Sequence, residues 1–435
     1  MTDIFEKKYS LLITNVAVDG KEVDIFIDET GTIAGIGDER KKHKREAEFI
    51  IDGDDAIALP GMVNTHTHAA MTLLRGYADD MVLQDWLSQK IWPLEAHLTG
   101  DDVYWGTRLA CIEMIRSGTT AFNDMYFYME DAARAVEQSG IRAVLSYGFI
   151  DLSDPEKRER EIKATTKLES HVRNLNNPRI KSAVGPHAIY TVSQEGLEWC
   201  AEFAQKHTTG IHIHLSETEK EVNECISRFG RRPSAVLEDC GILTPRTVAA
   251  HGCWLNEGDC RMMGKYGVSV SHNPASNMKL ATNRAMPYPD LLGAGVNICL
   301  GTDGCASNNN LDMFEEMKIA ALLQKFYWNS PTVLPAPEAL AMATSRGAKA
   351  LGIGTGTLAV GAPADIVLAS LHTSSNTPLH NAISNLVYSC NGGVVETTIC
   401  DGRVLMLEHE IPGEVKILEG ASRAAHDLVH RATGS

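Results

Sequence analysis

Eight short apolar runs alternate with longer helical stretches through the middle of the chain, and few folds accommodate that rhythm. The runs are ALPGMVNTH, TTAFNDM, RAVLSYGF, IKSAVGPH, GIHIHLSE, TVAAHG, VSVSHNP and VNICLGTDG. Stretches such as DDVYWGTRLACIEMIRSG and SPTVLPAPEALAMATSRGAKALG separate many of them. Strand then helix, in strict alternation, predicts an α/β fold: a (β/α)8 TIM-type barrel over 59–357. Active sites of such barrels lie at the C-terminal ends of the strands. Almost every run ends in His, Asp, Asn or Glu, so polar chemistry is expected to gather at one rim.

Both ends of the chain are β-rich instead. SLLITNVAV, VDIFIDET, TIAGIG and EAEFIIDG precede residue 58, and ADIVLASL, NLVYSC, VVETTICDG and RVLM follow 358. Gly, Asp and Lys turns break the first block, and Gly361 and Pro363 punctuate the start of the second. Segments 1–58 and 358–435 are expected to pair into one small composite β-sandwich domain. The basic run Lys41 to Arg45 reads as a solvated turn. The closing ILEGASRAAHDLVHRA reads as an amphipathic helix on the outside, with His426 and His430 on its exposed face.

Charge narrows the partners. With 40 basic against 56 acidic residues the net charge is −16. Such a surface repels phosphate backbones and anionic lipid, so neither nucleic acid nor membrane is an expected partner. The ten cysteines are scattered and no C-x-x-C occurs, which argues against a disulfide framework or a zinc finger. Thiols in strand-like runs, such as Cys299, suit a reducing cytosol, so a cytoplasmic location is expected. MTDIFEKKYSLLITNV lacks the basic and apolar regions of a signal peptide. No apolar run of about 18 residues is present to span a membrane.

The chemistry-bearing residues sit where the runs end. His66 and His68 alternate along an extended segment, so both imidazoles point the same way and can share one ion. Taken alone, H-x-H is a weak signal. A second pair, His212 and His214, is followed by Glu217. His187 ends another run, His251 a further one, and Asp303 follows VNICL. Five such ends in one alternating pattern point jointly to a metal site. Imidazole and carboxylate donors suit Zn2+, with one position left open for water. Fe2+, Mn2+ or Ni2+ can use the same donors.

PGMVNTHTH, LQDWLSQKIWPLEA, GPHAIYTVS, HIHLSET, SHNPASNMKLA and GTDGCASNNNLDMFEEM occur in this order from about residue 59 to about 320. GTLAVGAPADIVL and ICDGRVLM follow. In these motifs the chain resembles the amidohydrolase superfamily, and within it the 5-methylthioadenosine/S-adenosylhomocysteine deaminase family, which includes 5′-deoxyadenosine deaminases. The resemblance implies that His66, His68, His214 and Asp303 hold one divalent ion, which lowers the pKa of a water and supplies hydroxide. It implies Glu217 as general acid/base, protonating ring N1 as hydroxide attacks C6. Asp303 would take the water's proton and pass it towards the departing ammonia. His251 would hydrogen-bond the hydroxide and the tetrahedral intermediate. His187 and Trp86 would contact substrate, and Glu95 would accept from the 2′ and 3′ ribose hydroxyls. Read as residues alone, Trp86 and Trp92 suit a core and Glu95 a helix surface. His212 is expected to pack beneath the site and His272 to support it. A homo-oligomer is also implied.

The chain departs from the family at one place. Members that take S-adenosylhomocysteine carry an arginine shortly after the third barrel strand, where Tyr147 stands here. A phenol cannot replace a bidentate guanidinium. A second family arginine corresponds to Arg158 or Arg160 in a loop that does not align securely. The expected preference therefore tilts towards 5′-deoxyadenosine, 5′-methylthioadenosine or adenosine. Two rivals stand beside a nucleoside deaminase. One is an amidohydrolase acting on a free base or a triazine, and Glu95 discriminates because a free base has no ribose. The other is a barrel scaffold without chemistry, which should lack the ligands. The cytidine-deaminase type is excluded by the missing P-C-x-x-C.

Overall fold

The computed structural model describes residues 4–434, with Leu83 and Gln84 described by their backbone alone; Met1 to Asp3 of the N-terminal segment lie outside the described residues. The eight predicted runs each contribute a strand of one parallel sheet: β6 (Met62–Thr67), β7 (Thr119–Tyr126), β8 (Arg142–Phe149), β9 (Ile180–Pro186), β10 (Gly210–Leu215), β11 (Thr247–His251), β12 (Ser269–His272) and β13 (Asn297–Leu300). Neighbours pair in chain order. The seam between β13 and β6 closes on a few hydrogen bonds. Thr65 Oγ1 donates to Leu300 O at 2.7 Å, and Asp303 N donates to His66 O at 2.9 Å. Closing the barrel thus sets Asp303 beside His66, residues far apart in sequence.

The remaining strands are β1 (Leu11–Val18), β2 (Lys21–Ile27), β3 (Ile33–Gly37), β4 (Phe49–Asp52), β5 (Ala56–Pro60), β14 (Ile366–Ser370), β15 (Val395–Cys400) and β16 (Arg403–Met406). They form one mixed sheet in the order β16-β15-β14-β5-β1-β2-β3, with β4 beside β1. The sheet curls over its own apolar core, in which Leu11, Ile27, Ile366, Leu368 and Ile399 meet. Its two far turns touch: a Cβ added to Gly31 would lie 2.3 Å from Asp401 O. Strands from both ends of the chain thus share this one mixed sheet.

Four local expectations are revised. ALPGMVNTH is two strands, because Gly61 separates β5 of the curled sheet from β6 of the barrel; a Cβ there would lie 2.1 Å from Thr120 Oγ1. NLVYSC is helical within Ala382–Tyr388, capped by Asn381 on Ser384 N, with Leu386 and Val387 turned into the core. The long stretch ending in RGAKALG is two helices, Ala336–Ala343 and Ser345–Leu351, broken at Thr344. In the basic run, Lys41 to His43 belong to a short helix, Arg40–His43, and Lys44 and Arg45 to the exposed turn that follows. The C-terminal helix Glu414–Thr433 packs on Gly100–Arg116, with Gly420 against Trp105. All ten cysteines are free and buried. Among the described residues no helix is long and apolar enough to cross a membrane.

Barrel and sheet are joined by an ion network at the start of β8. Arg142 Nε donates to Asp365 at 2.8 Å, and its NH2 group lies 2.8 Å from Asp401, which also meets Lys8 at 2.7 Å. Asp365 is 1% exposed. Removing one partner of such a buried pair leaves the other charge uncompensated. Arg142→Met is expected to destabilise the protein by about 3–5 kcal/mol in urea melts. Restoring neutrality with Arg142→Met/Asp365→Leu should recover most of that loss; a double variant no more stable than the single one would refute this assignment.

Candidate active site

The polar strand ends converge at the C-terminal rim. His66 comes from β6, with His68 just beyond it, and His214 from β10. His68 Nε2 lies 3.3 Å from His214 Nε2 and 3.3 Å from Asp303 Oδ1, and His66 Nε2 lies 3.4 Å from the same oxygen. Bonds of about 2.0–2.1 Å to a tetrahedral ion would space its ligands by about 3.3 Å.

Outer partners fix the ring orientations. His68 Nδ1 donates to Met125 O at 2.6 Å, and His214 Nδ1 to His187 O at 2.8 Å. His66 Nδ1 meets His212 Nε2 at 2.8 Å, so His212 sits beneath the cluster, as expected. Each inward Nε2 is left with a lone pair. His66 Nε2 is buried and has no hydrogen-bond partner among the described residues, which in a folded protein calls for an explanation such as an ion. Burial lowers the pKa of His66 to about 4 and that of His214 well below its ordinary value. Metal binding requires such neutral imidazoles. The donor set therefore fits one divalent cation.

The acidic ligand is held as firmly. Asp303 Oδ2 accepts from Ser276 Oγ at 2.6 Å and Ser307 Oγ at 3.0 Å, while Oδ1 accepts from Gly304 N at 2.8 Å. The backbone is left-handed at Ser216, His251 and Asp303, with φ of +49°, +73° and +63°. Non-glycine residues in that region carry strain, which collects at functional sites.

Glu217 faces the cluster, 8% exposed, with Oε1 3.8 Å from His251 Nδ1. Burial, helped by the charge of Asp303, raises its pKa to about 8. It can therefore carry a proton at neutral pH. His251 Nδ1 also meets the side-chain amides of Asn277 at 2.9 Å and Asn273 at 3.3 Å.

His68, His214, Glu217, His251 and Asp303 line a cavity with about 840 Å3 of empty space, its open mouth included. Glu95 and His187 line it too, together with Trp86. Glu95 is half-buried and accepts from Tyr126 OH at 2.7 Å; burial raises its pKa to about 7 although Tyr126 pulls the other way. Trp86 is buried, its Nε1 donating to Ala78 O at 3.0 Å, so its ring forms wall. Trp92 is 44% exposed and lines the same cavity, unlike the core position that its residue type suggested. His272 is buried behind the site, with Nε2 3.2 Å from Gln324 Nε2, and does not line the cavity.

Arg158 pairs with Asp151 at 3.4 Å and Glu195 at 3.7 Å, and Arg160 is exposed. Among the described residues lining the cavity beside Glu217 there is no lysine or arginine. Tyr147 lines an adjoining recess with Phe127, Tyr128 and Lys167. Sequence reasoning did not assign Tyr126, Ser276, Ser307 or Asn277. The last three lie inside motifs already singled out; Tyr126 had no signal beyond following β7's Asp124 and Met125.

Residues 57–405 match the amidohydrolase family. The chain is 69% identical over 431 residues to a 5′-deoxyadenosine deaminase of Methanoregula boonei, covering 99% of this chain and 98% of the relative. It resembles the crystal structure of an adenosine deaminase from Xanthomonas campestris with bound zinc, with TM-score 0.91, 34% identity, and 97% and 99% of the two chains covered. It shares its fold with an atrazine chlorohydrolase of Arthrobacter aurescens TC1 complexed with zinc, with TM-score 0.85, 22% identity, and 95% and 100% covered.

Proposed function

The chain belongs to the amidohydrolase family, and on that premise we propose that it hydrolyses the 6-amino group of adenosine-type nucleosides, giving the inosine analogue and ammonia. The observation that carries this is that Glu217, His68, His214 and Asp303 line one cavity together with Glu95, with His66 buried beside His68 and Asp303. His66, His68, His214 and Asp303 would hold a divalent cation, zinc first and Fe2+, Mn2+ or Ni2+ as alternatives, which when bound would supply an activated water for attack on C6. Glu217 delivers a proton to ring N1 as that attack proceeds. Asp303 accepts the proton from water and hands it to the leaving amine. His251 hydrogen-bonds the oxygen that becomes bound at C6, and His187 and Trp86 wall the substrate. Cytoplasmic location and homo-oligomeric assembly belong to the same proposal, supported by the free, buried thiols and the family resemblance respectively.

The preferred substrates are 5′-deoxyadenosine, 5′-methylthioadenosine and adenosine, with S-adenosylhomocysteine poorer. The cation-free cavity wall, Tyr147 in its recess and the name of the Methanoregula relative support that order. A substrate panel, followed by ammonia release and the adenine-to-hypoxanthine absorbance change, tests it. A clear kcat/KM preference for S-adenosylhomocysteine would defeat it.

Glu95 separates nucleosides from free bases. A hydrogen bond to a charged acceptor is worth about 1.5–3 kcal/mol, so Glu95→Ala should lower nucleoside kcat/KM about 10- to 100-fold. Undiminished turnover would favour a free-base or triazine substrate. With its pKa near 7, Glu95 is ionised above that pH and loses acceptor strength below it. KM for adenosine should therefore rise as pH falls from about 8 to about 6. KM for 2′,3′-dideoxyadenosine, which has nothing to offer Glu95, should not follow.

A further inference from the structure

The carboxyl of Glu217 receives no hydrogen bond among the described residues, and its contact with His251 is 3.8 Å long. Its aim is therefore set by its main chain. β10 ends at Leu215, and Ser216 then adopts the left-handed φ of +49°. A residue with a Cβ stays there only when its surroundings hold it. Two consecutive amides point into one carboxylate: Ser216 N lies 2.7 Å from Glu221 Oε1, and Glu217 N lies 2.8 Å from Glu221 Oε2. From the other side, Trp254 N donates to Ser216 O at 2.8 Å.

Glu221 is 4% exposed and does not line the cavity. It stands in the first turn of the helix Glu219–Phe229, whose N-cap is Thr218. In a capping box a glutamate at this place reaches back to the N-cap amide. This one reaches beyond it, to the two amides before. Both oxygens of its carboxyl are thereby engaged as acceptors.

We propose that Glu221 is a positioning residue for Glu217: by gripping both amides it locks the turn at Ser216 and fixes where the Glu217 carboxyl stands. This rests on the role assigned to Glu217 above. Glutamine at 221 keeps the size, but its NH2 group must face one of the two N–H donors. Aspartate is one methylene short of reaching both.

The test is a double-mutant cycle on the metal-loaded enzyme with 5′-deoxyadenosine. Glu221→Gln is expected to lower kcat about 10- to 100-fold, the scale of a misplaced catalytic group. KM should stay within about 3-fold and bound metal at the wild-type level. Placed in a Glu217→Gln background, the same change should cost no more than about 2-fold, because no acid remains to be aimed. Equal losses in both backgrounds would mark Glu221 as merely structural, and a wild-type kcat for Glu221→Gln would remove its role altogether. Full activity in Glu217→Gln alone would instead strike the role of Glu217. If the glutamine variant does not fold, Glu221→Asp enters the same cycle with the same outcomes.

Discussion

Glu217→Gln is expected to lower kcat by about 10³-fold, within the range that general acid–base catalysis contributes. Glutamine preserves the shape of the side chain and can still hydrogen-bond a ring nitrogen, but it has no proton to give. Substrate binding should therefore survive, with KM changed less than about 3-fold. Bound metal should also stay at its wild-type level, because Glu217 is not among the clustered donors. Nor should the fold suffer. The replaced carboxyl is buried and receives no hydrogen bond among the described residues, so a neutral isostere relieves a desolvation cost. A lowered kcat with unchanged metal and melting temperature would isolate proton transfer as the lost step. If activity were retained, the proton must come from elsewhere and Glu217 would lose its place.

The barrel was legible because its period is simple. Strand runs of a few apolar residues, each ending in a polar one, can close only with those ends on a common rim, and each predicted run supplied a strand. The first run misled at Gly61, where apolar character continues while the chain passes from one sheet to another. NLVYSC misled because a short apolar segment does not reveal its period; the Asn381 cap and the burial of adjacent Leu386 and Val387 decided for a helix. In the site, H-x-H geometry was readable from strand alternation. The grip of Ser276 and Ser307 on Asp303 was not, because Ser276 stands on the short helix Pro274–Lys279 and Ser307 in the turn after Asp303, and only the folded chain brings the two together. Tyr126 on Glu95 was hidden for the same reason: the pair spans a break between β7 and the segment that follows β6.

Removing the cation is expected to abolish turnover and, separately, to lower the melting temperature. Without an ion, three imidazole Nε2 atoms and a carboxylate are crowded together by the barrel, and His66 Nε2 makes no hydrogen bond among the described residues. A ligand that binds only the folded state stabilises it by about 4 kcal/mol at a thousandfold excess over its Kd. Chelation followed by one equivalent of zinc should restore both properties. The effect should also be graded along the chain of contacts. His66→Ala deletes a donor and should leave purified protein essentially metal-free and inactive. His212→Ala keeps all four donors but removes the hydrogen bond that orients His66, and outer partners of this kind are worth about 10- to 100-fold in metal affinity. Competition with a chelator reads that difference without any assay of turnover. Should His66→Ala bind zinc as tightly as the wild type, the cation must sit elsewhere, and the hydrolytic role of the whole rim would have to be given up.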